Sequence, residues 1–207
     1  MAVPDHESSP QDATAPPRRS RMSPTARRAE LVIAARTVLT KQTDAGVAEI
    51  AQTAQVSKAL LYRYFPAGRA ELVGAVVSDL ADELLAQVEL AAAMPFSPSA
   101  RLEQMLAAVF AFFAAEPGAY ALLVGAMPGG PGSEAPAPQR AARVGLVSAI
   151  AGVLAESGHA PGEVYAAATG LVGFVLATVE LCLNDQLAPE KAWQLSCRCA
   201  RVLRAGD

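Results

Sequence analysis

Residues 47–72, VAEIAQTAQVSKALLYRYFPAGRAEL, constrain the fold more than any other part of the chain. Ile50, Ala51, Ala54, Val56 and Leu61 are spaced to share the inner face of two short helices that cross around a tight turn. That arrangement directs Lys58, Ala59, Leu60, Tyr62, Arg63 and Tyr64 outward. A helix-turn-helix asks for a small residue where its helices touch, here Ala51. It asks for a turn of a few residues, here Ala54 to Val56, and for basic and aromatic side chains on the free side of its second helix. The pattern predicts a surface that reads DNA.

Charge is distributed as such a surface requires. Residues 18–69 carry ten Lys or Arg against three Asp or Glu, whereas residues 70–207 carry seven against fourteen, and residues 1–17 hold three acids and no base. The basic block is the electrostatic footprint of something that sits on phosphates, and the acidic remainder must face away from them. The whole-chain net charge of −3 conceals this division.

The long Ala/Leu/Val stretches between clusters of glycine and proline favour helix over strand, so the fold class expected is all-α. Residues 1–22 are rich in Pro, Ser and Asp without apolar periodicity and read as a disordered tail. Arg18, Arg19 and Arg21 close it, either as a minor-groove arm or as a solvated linker. A three-helix head is expected over 23–68. Its first helix, capped by Ser23, runs to about Lys41 and buries Leu31, Ala34, Ala35, Val38 and Leu39; its second covers 47–53; its third, capped by Ser57, covers 58–65.

A helical body is expected over 69–207. A connecting helix from Arg69 to about Ala93 repeats Leu72, Val76, Leu80, Leu84 and Val88 at spacing four. Met94-Pro95 and Pro98 break it, and further helices are expected over 99–115, around 120–124, and over 139–157, 161–184 and 189–204. Met127 to Pro138, MPGGPGSEAPAP, reads as a mobile loop.

Cys182, Cys197 and Cys199, with His6 and His159, are too few and wrongly spaced for a zinc site, so no metal or cofactor is expected. The thiols read as buried residues of a reducing, cytoplasmic compartment, with redox sensing as the alternative. No signal peptide opens the chain, and the uncharged run Val164 to Val179 is shorter than the roughly 18 apolar residues of a membrane span. No nucleophile elbow, phosphate loop or zinc-protease pattern occurs, so no catalytic residues are expected. The competing class is a helical scaffold without DNA binding, for which the basic head offers no reason.

Ile50-Ala51 followed by Val56-Ser57-Lys58-Ala59-Leu60-Leu61-Tyr62-Arg63-Tyr64-Phe65 resembles the tetracycline-repressor (TetR) family of bacterial transcriptional regulators, over about residues 25–80. The resemblance implies a homodimer that binds a palindromic double-stranded DNA operator, represses transcription and lets go when a small molecule enters the body. Lys58, Ala59 and Leu60 fall where the family places base contacts, and Tyr62, Arg63 and Tyr64 where it places phosphate contacts. Phe65 reads as core. Three departures stand out: Gln55 occupies the turn position the family often makes glycine, Gly46 replaces a capping threonine and leaves a backbone N–H, and Gly68 replaces a lysine, with Arg69 as the basic phosphate contact instead.

The resemblance also assigns roles to the body. Ala166, Gly170, Gly173 and Ala177 form a stripe of small residues that lets another helix approach closely. Gly173, Ala177, Leu181, Trp193 and Val202 are the implied dimer interface, with burial inside one subunit as the alternative. Met105, Val109, Phe110, Phe113, Tyr120, Leu123, Met127, Tyr165 and Phe174 either line a pocket for a small hydrophobic effector or form solid core. Phe112 and Phe113 are adjacent, so only one is expected to face inward with Val109.

Overall fold

The computed structural model describes residues 23–125, 137–156 and 160–205. The tail with its three arginines, Met127 and the loop up to residue 136, and both histidines lie outside them. Among the described residues the chain forms helices only.

The head is three helices, α1 (Pro24–Leu39), α2 (Val47–Thr53) and α3 (Lys58–Tyr64). Helix α1 starts where a side-chain acceptor precedes a proline: Ser23 Oγ accepts the Ala26 N–H at 3.1 Å, and Pro24 fills the first turn, where its missing N–H is not needed. Leu31, Val32, Ala35 and Leu39 are its buried stripe. Ala34 and Val38 are only half-buried, because Val32 rather than Ala34 faces the neighbouring helices.

The body begins with α4 (Arg69–Ala92), whose expected stripe of Leu72, Val76, Leu80, Leu84 and Val88 is buried throughout. It packs against α1, α5 (Pro98–Ala115), α6 (Gly118–Leu123) and α7 (Ala137–Ala155). Helices α8 (Pro161–Leu183) and α9 (Pro189–Ala205) complete the bundle, α8 between α7 and α9 and α9 also on α5. Pro98, expected as a breaker, is instead the first residue of α5, with Ser97 Oγ accepting the Ala100 N–H at 3.4 Å. A proline preceded by serine starts a helix as readily as it ends one.

Phe112 and Phe113 are both buried, against expectation, edge to face with ring centroids 5.2 Å apart. Helix α5 is covered by α4, α7, α8 and α9, so its buried arc is wide enough for two successive side chains. The apolar core runs without interruption from Leu39, Ile50 and Phe65 of the head through α4 into the body.

By length and composition α8 is sufficient to cross a membrane, beyond what the uncharged run alone suggested. One face, with Val164, Ala168, Leu171, Val172, Val175 and Val179, is buried in the bundle.

Candidate functional site

Helix α3 is set on α2 by its inner face and a short turn. Ala51 and Leu61 are buried where the two helices meet, and the Val56 N–H donates to the Ala51 carbonyl at 3.0 Å. Gln55 turns the chain in the left-handed region at φ 53°, which costs about 1–2 kcal/mol without a glycine. Ser57 Oγ then accepts the Leu60 N–H at 3.2 Å, a cap worth about 1 kcal/mol, and fixes where α3 begins. Lys58, Ala59, Tyr62 and Arg63 are exposed, Tyr62 to 50 %.

Leu60 and Tyr64 are half-buried rather than outward, and Tyr64 packs against the head core. They flank the exposed face because Leu60 adjoins buried Leu61 along the helix and Tyr64 follows it by three positions, nearly one turn. Phe65 is 1 % exposed, and the Arg28 guanidinium lies 4.7 Å from its ring centroid, so α1 covers it with a charge over the aromatic face.

The structure changes the part played by two flanking residues. The Gly46 N–H donates to Glu49 Oε2 at 2.8 Å, so the donor expected for phosphate is engaged within the chain. Arg69 Nε donates to the Ala45 carbonyl at 3.0 Å and its Nη2 to the Thr43 carbonyl. The guanidinium thus pins the α1–α2 loop to the start of α4, using donors that the sequence reading reserved for DNA. Gly68 sits at φ 68° with the Tyr62 ring 3.1 Å from where a Cβ would stand, so a glycine here serves the turn and the seating of Tyr62.

The head is keyed to the body by charge and close contact. Arg36 of α1 pairs with Asp79 and Glu83 of α4 at 3.0 and 2.7 Å, and with Glu116 at the α5–α6 corner. Bonding to Glu116 above all holds the guanidinium well above its ordinary pKa, against the opposing effect of burial. Beside it, a Cβ on Gly118 would stand 1.6 Å from the Thr40 carbonyl oxygen, so α6 abuts the end of α1 with no room between. Sequence reading missed both residues: a lone arginine on a half-buried face and a glycine after proline carry no signal of a distant partner.

The aromatic and Met cluster of the body divides. Met105 and Val109 are solid core. Phe113 and Leu123 line a partly open cavity of about 160 Å³ with Leu84, Leu146 and Leu176, and its remaining wall includes Gln139, Arg140 and Arg143 of α7. Tyr120 lies in an adjoining cleft of about 290 Å³ with Arg143, Gly173, Ala177 and Glu180. Its hydroxyl is 3.1 Å from both the Leu176 carbonyl and Glu180 Oε2; burial first, and Glu180 second, raise its pKa above the ordinary phenol value. Phe110 meets Trp193 edge to face at 6.1 Å and lines a third cleft, between α5, α8 and α9. Tyr165 and Phe174 are 53 % and 36 % exposed and line none of these, because they lie on the outer face of α8.

That outer face also carries exposed Ala166, Gly170, Ala177 and Leu181, and half-buried Gly173. No atom lies within 4 Å of a Cβ built on Gly170 or Gly173. Val202 of α9 is 70 % exposed, whereas Trp193, expected at the same interface, is half-buried within the subunit on Phe110. Burial raises the pKa of Cys182, Cys197 and Cys199, favouring unreactive thiols over redox sensors. Among the described residues no group of His, Cys, Asp and Glu is placed to hold a metal ion.

The architecture is thus a helix-turn-helix head with an exposed basic and aromatic second helix, joined through a long helix to an all-helical body. Residues 33–76 match the family model described as bacterial regulatory proteins, tetR family. The match covers the second half of α1, the helix-turn-helix and the start of α4. No curated protein sequence matches the chain. Solved structures do. A TetR-like transcriptional regulator from Rhodococcus sp. RHA1 is 21 % identical, aligns over 90 % of this chain and 100 % of its own, and has a TM-score of 0.68. For a tetR-family regulator from Streptomyces coelicolor the values are 21 %, 89 %, 81 % and 0.71. FadR from Bacillus subtilis, solved with stearoyl-CoA, gives 17 %, 86 %, 98 % and 0.69. What is shared at this level of identity is the fold.

Proposed function

We propose that the chain is a cytoplasmic, ligand-responsive transcriptional repressor. It binds a palindromic operator as a homodimer and is released by a small hydrophobic effector. The observation that carries this reading is α3: a capped helix held by Ala51 and Leu61 that exposes Lys58, Ala59, Tyr62 and Arg63 together. Lys58 offers protons to guanine acceptors and Ala59 fits a thymine methyl, while Tyr62 and Arg63 hold backbone oxygens. Leu60 and Tyr64 reach the duplex from the edges of the same face. Arg69 acts on it chiefly by holding the loop that carries Gly46.

In the proposed dimer the outer face of α8, with Gly173, Ala177 and Leu181, meets its copy, and Val202 adds the α9 edge. Tyr165 and Phe174 belong to that face rather than to the pocket. Two copies of α3 then stand about 34–36 Å apart, the spacing of successive major grooves on one side of the duplex. Effector in the cavity beside Leu84 displaces α4, and the Arg36 cluster carries that movement into α1. The effector need only favour the mis-spaced dimer by a few kcal/mol to release the operator. The domain limits proposed are 23–68 for the DNA-binding head and 69–207 for effector binding and dimerisation.

Selection of bound duplexes from random DNA, at a stated salt concentration, tests the reading. A two-fold symmetric sequence is expected. Lys58→Ala should relax base preference, and Arg63→Ala should weaken all sequences alike and flatten the salt dependence by about one ion. Recovery of no symmetric sequence would remove the proposal.

A further inference from the structure

We infer that the Tyr120 hydroxyl ties the cavity beside Leu84 to the outer face of α8, so that filling the cavity weakens the pairing of subunits. This deepens, and rests on, the proposed effector cavity and the proposed α8 interface. It gives an effector a second route of action besides α4.

Tyr120 stands between the two regions. Its ring meets Phe113 edge to face, with centroids 5.4 Å apart, and Phe113 is part of the cavity wall. Its hydroxyl lies 3.1 Å from the Leu176 carbonyl, and Leu176 lines the same cavity. Tyr120 is therefore held on two sides by residues that the contents of the cavity touch. Both rings are buried, so a displacement of Phe113 is taken up by Tyr120 rather than lost to solvent.

The hydroxyl has one proton to donate and two acceptors, the second being Glu180 Oε2, also at 3.1 Å. Donation to the carboxylate is charge-assisted and the stronger of the two. Burial, and Glu180 after it, hold the phenol above its ordinary pKa, so the proton stays available.

Glu180 matters because of where it sits. It follows Gly173 by seven positions and Ala177 by three, on the same stripe of α8 that is proposed to meet a second copy. In the single subunit it is exposed. Pairing takes this carboxylate out of water, and two copies bring two of them. A carboxylate that loses water without a hydrogen-bond partner is costly, whereas one that keeps the Tyr120 hydroxyl is far less so. Filling the cavity shifts Phe113 and Leu176, moves the hydroxyl off Glu180 and leaves a bare charge on the pairing face. By linkage, pairing in turn weakens whatever binds in the cavity.

Filling the cavity by substitution tests the link directly. Ala142 of α7 is a half-buried wall residue of the cavity and lies outside the cleft that holds Tyr120 and Glu180. Sedimentation equilibrium on the full chain gives the dimer Kd with and without Ala142→Leu, in the original chain, in Tyr120→Phe and in Glu180→Ala. Ala142→Leu is expected to raise the Kd about tenfold in the original chain and by less than about twofold in the other two backgrounds, where the bond it disturbs is already gone. Helical circular dichroism should be unchanged throughout; if leucine costs the fold, Ala142→Met fills the same space with a more adaptable side chain. A rise in Kd of the same size in all three backgrounds, no rise in any, or tighter pairing would overturn the link while leaving the α8 interface standing. A chain that is monomeric at every concentration defeats the interface itself, and the link with it.

Discussion

Gly118 and Gly173 stand in opposite surroundings. At Gly118, where α6 meets the end of α1, the backbone of Thr40 occupies the space a side chain would need; at Gly173, on the outside of α8, nothing approaches within 4 Å. The first junction is also charged, with Arg36 among Asp79, Glu83 and Glu116. The second surface is apolar, with Phe174 and Leu181 beside small residues. Close packing of backbone on backbone is found where a protein's interior is finished, since interiors are packed to the density of organic crystals. An apolar helix face with small residues and no neighbour is half of a contact. A single subunit therefore finishes its head-to-body junction and leaves the outer face of α8 uncovered, the face proposed above to meet a second copy.

The comparison breaks first at Gly118. Gly118→Leu forces α6 away from α1 and is expected to cost about 3 kcal/mol or more, read from urea unfolding midpoints. A loss below about 1 kcal/mol would mean that the junction is loose and cannot transmit movement. Arg36→Met comes next. It removes the cation and leaves three carboxylates facing one another, for a loss of about 1–2 kcal/mol that shrinks as salt is added. Insensitivity to salt would show that the cluster is only packing. The smallest effect belongs to Gly173→Ala, expected to change subunit stability by less than about 1 kcal/mol and in the favourable direction, because glycine weakens a helix interior.

Much of this was legible in the sequence, and the reasons are local. Ser23-Pro24 and Ser57 mark helix starts through capping chemistry confined to four residues. Leu72 to Val88 at spacing four mark a buried helix because periodicity is a property of one segment. What was not legible depends on distant partners. Arg69 read as a phosphate contact, yet two of its donor atoms reach carbonyls more than twenty positions earlier. Tyr165 and Phe174 read as pocket aromatics, yet the stripe that buries α8 begins at Val164 and passes them by. Pro98 reads as a breaker from its own identity, yet the Ser97 cap makes it the first residue of α5. The cavity itself arises from five helices meeting imperfectly, which no single segment encodes.

The central claim is that the open face of α8 pairs two subunits so that α3 is presented twice. Sedimentation velocity on the full chain and on Gly173→Phe, at micromolar concentration and with matching circular dichroism, addresses it most directly. The account predicts a dimer for the chain and a folded monomer for the variant. A monomeric chain, or a variant that remains dimeric, would contradict it.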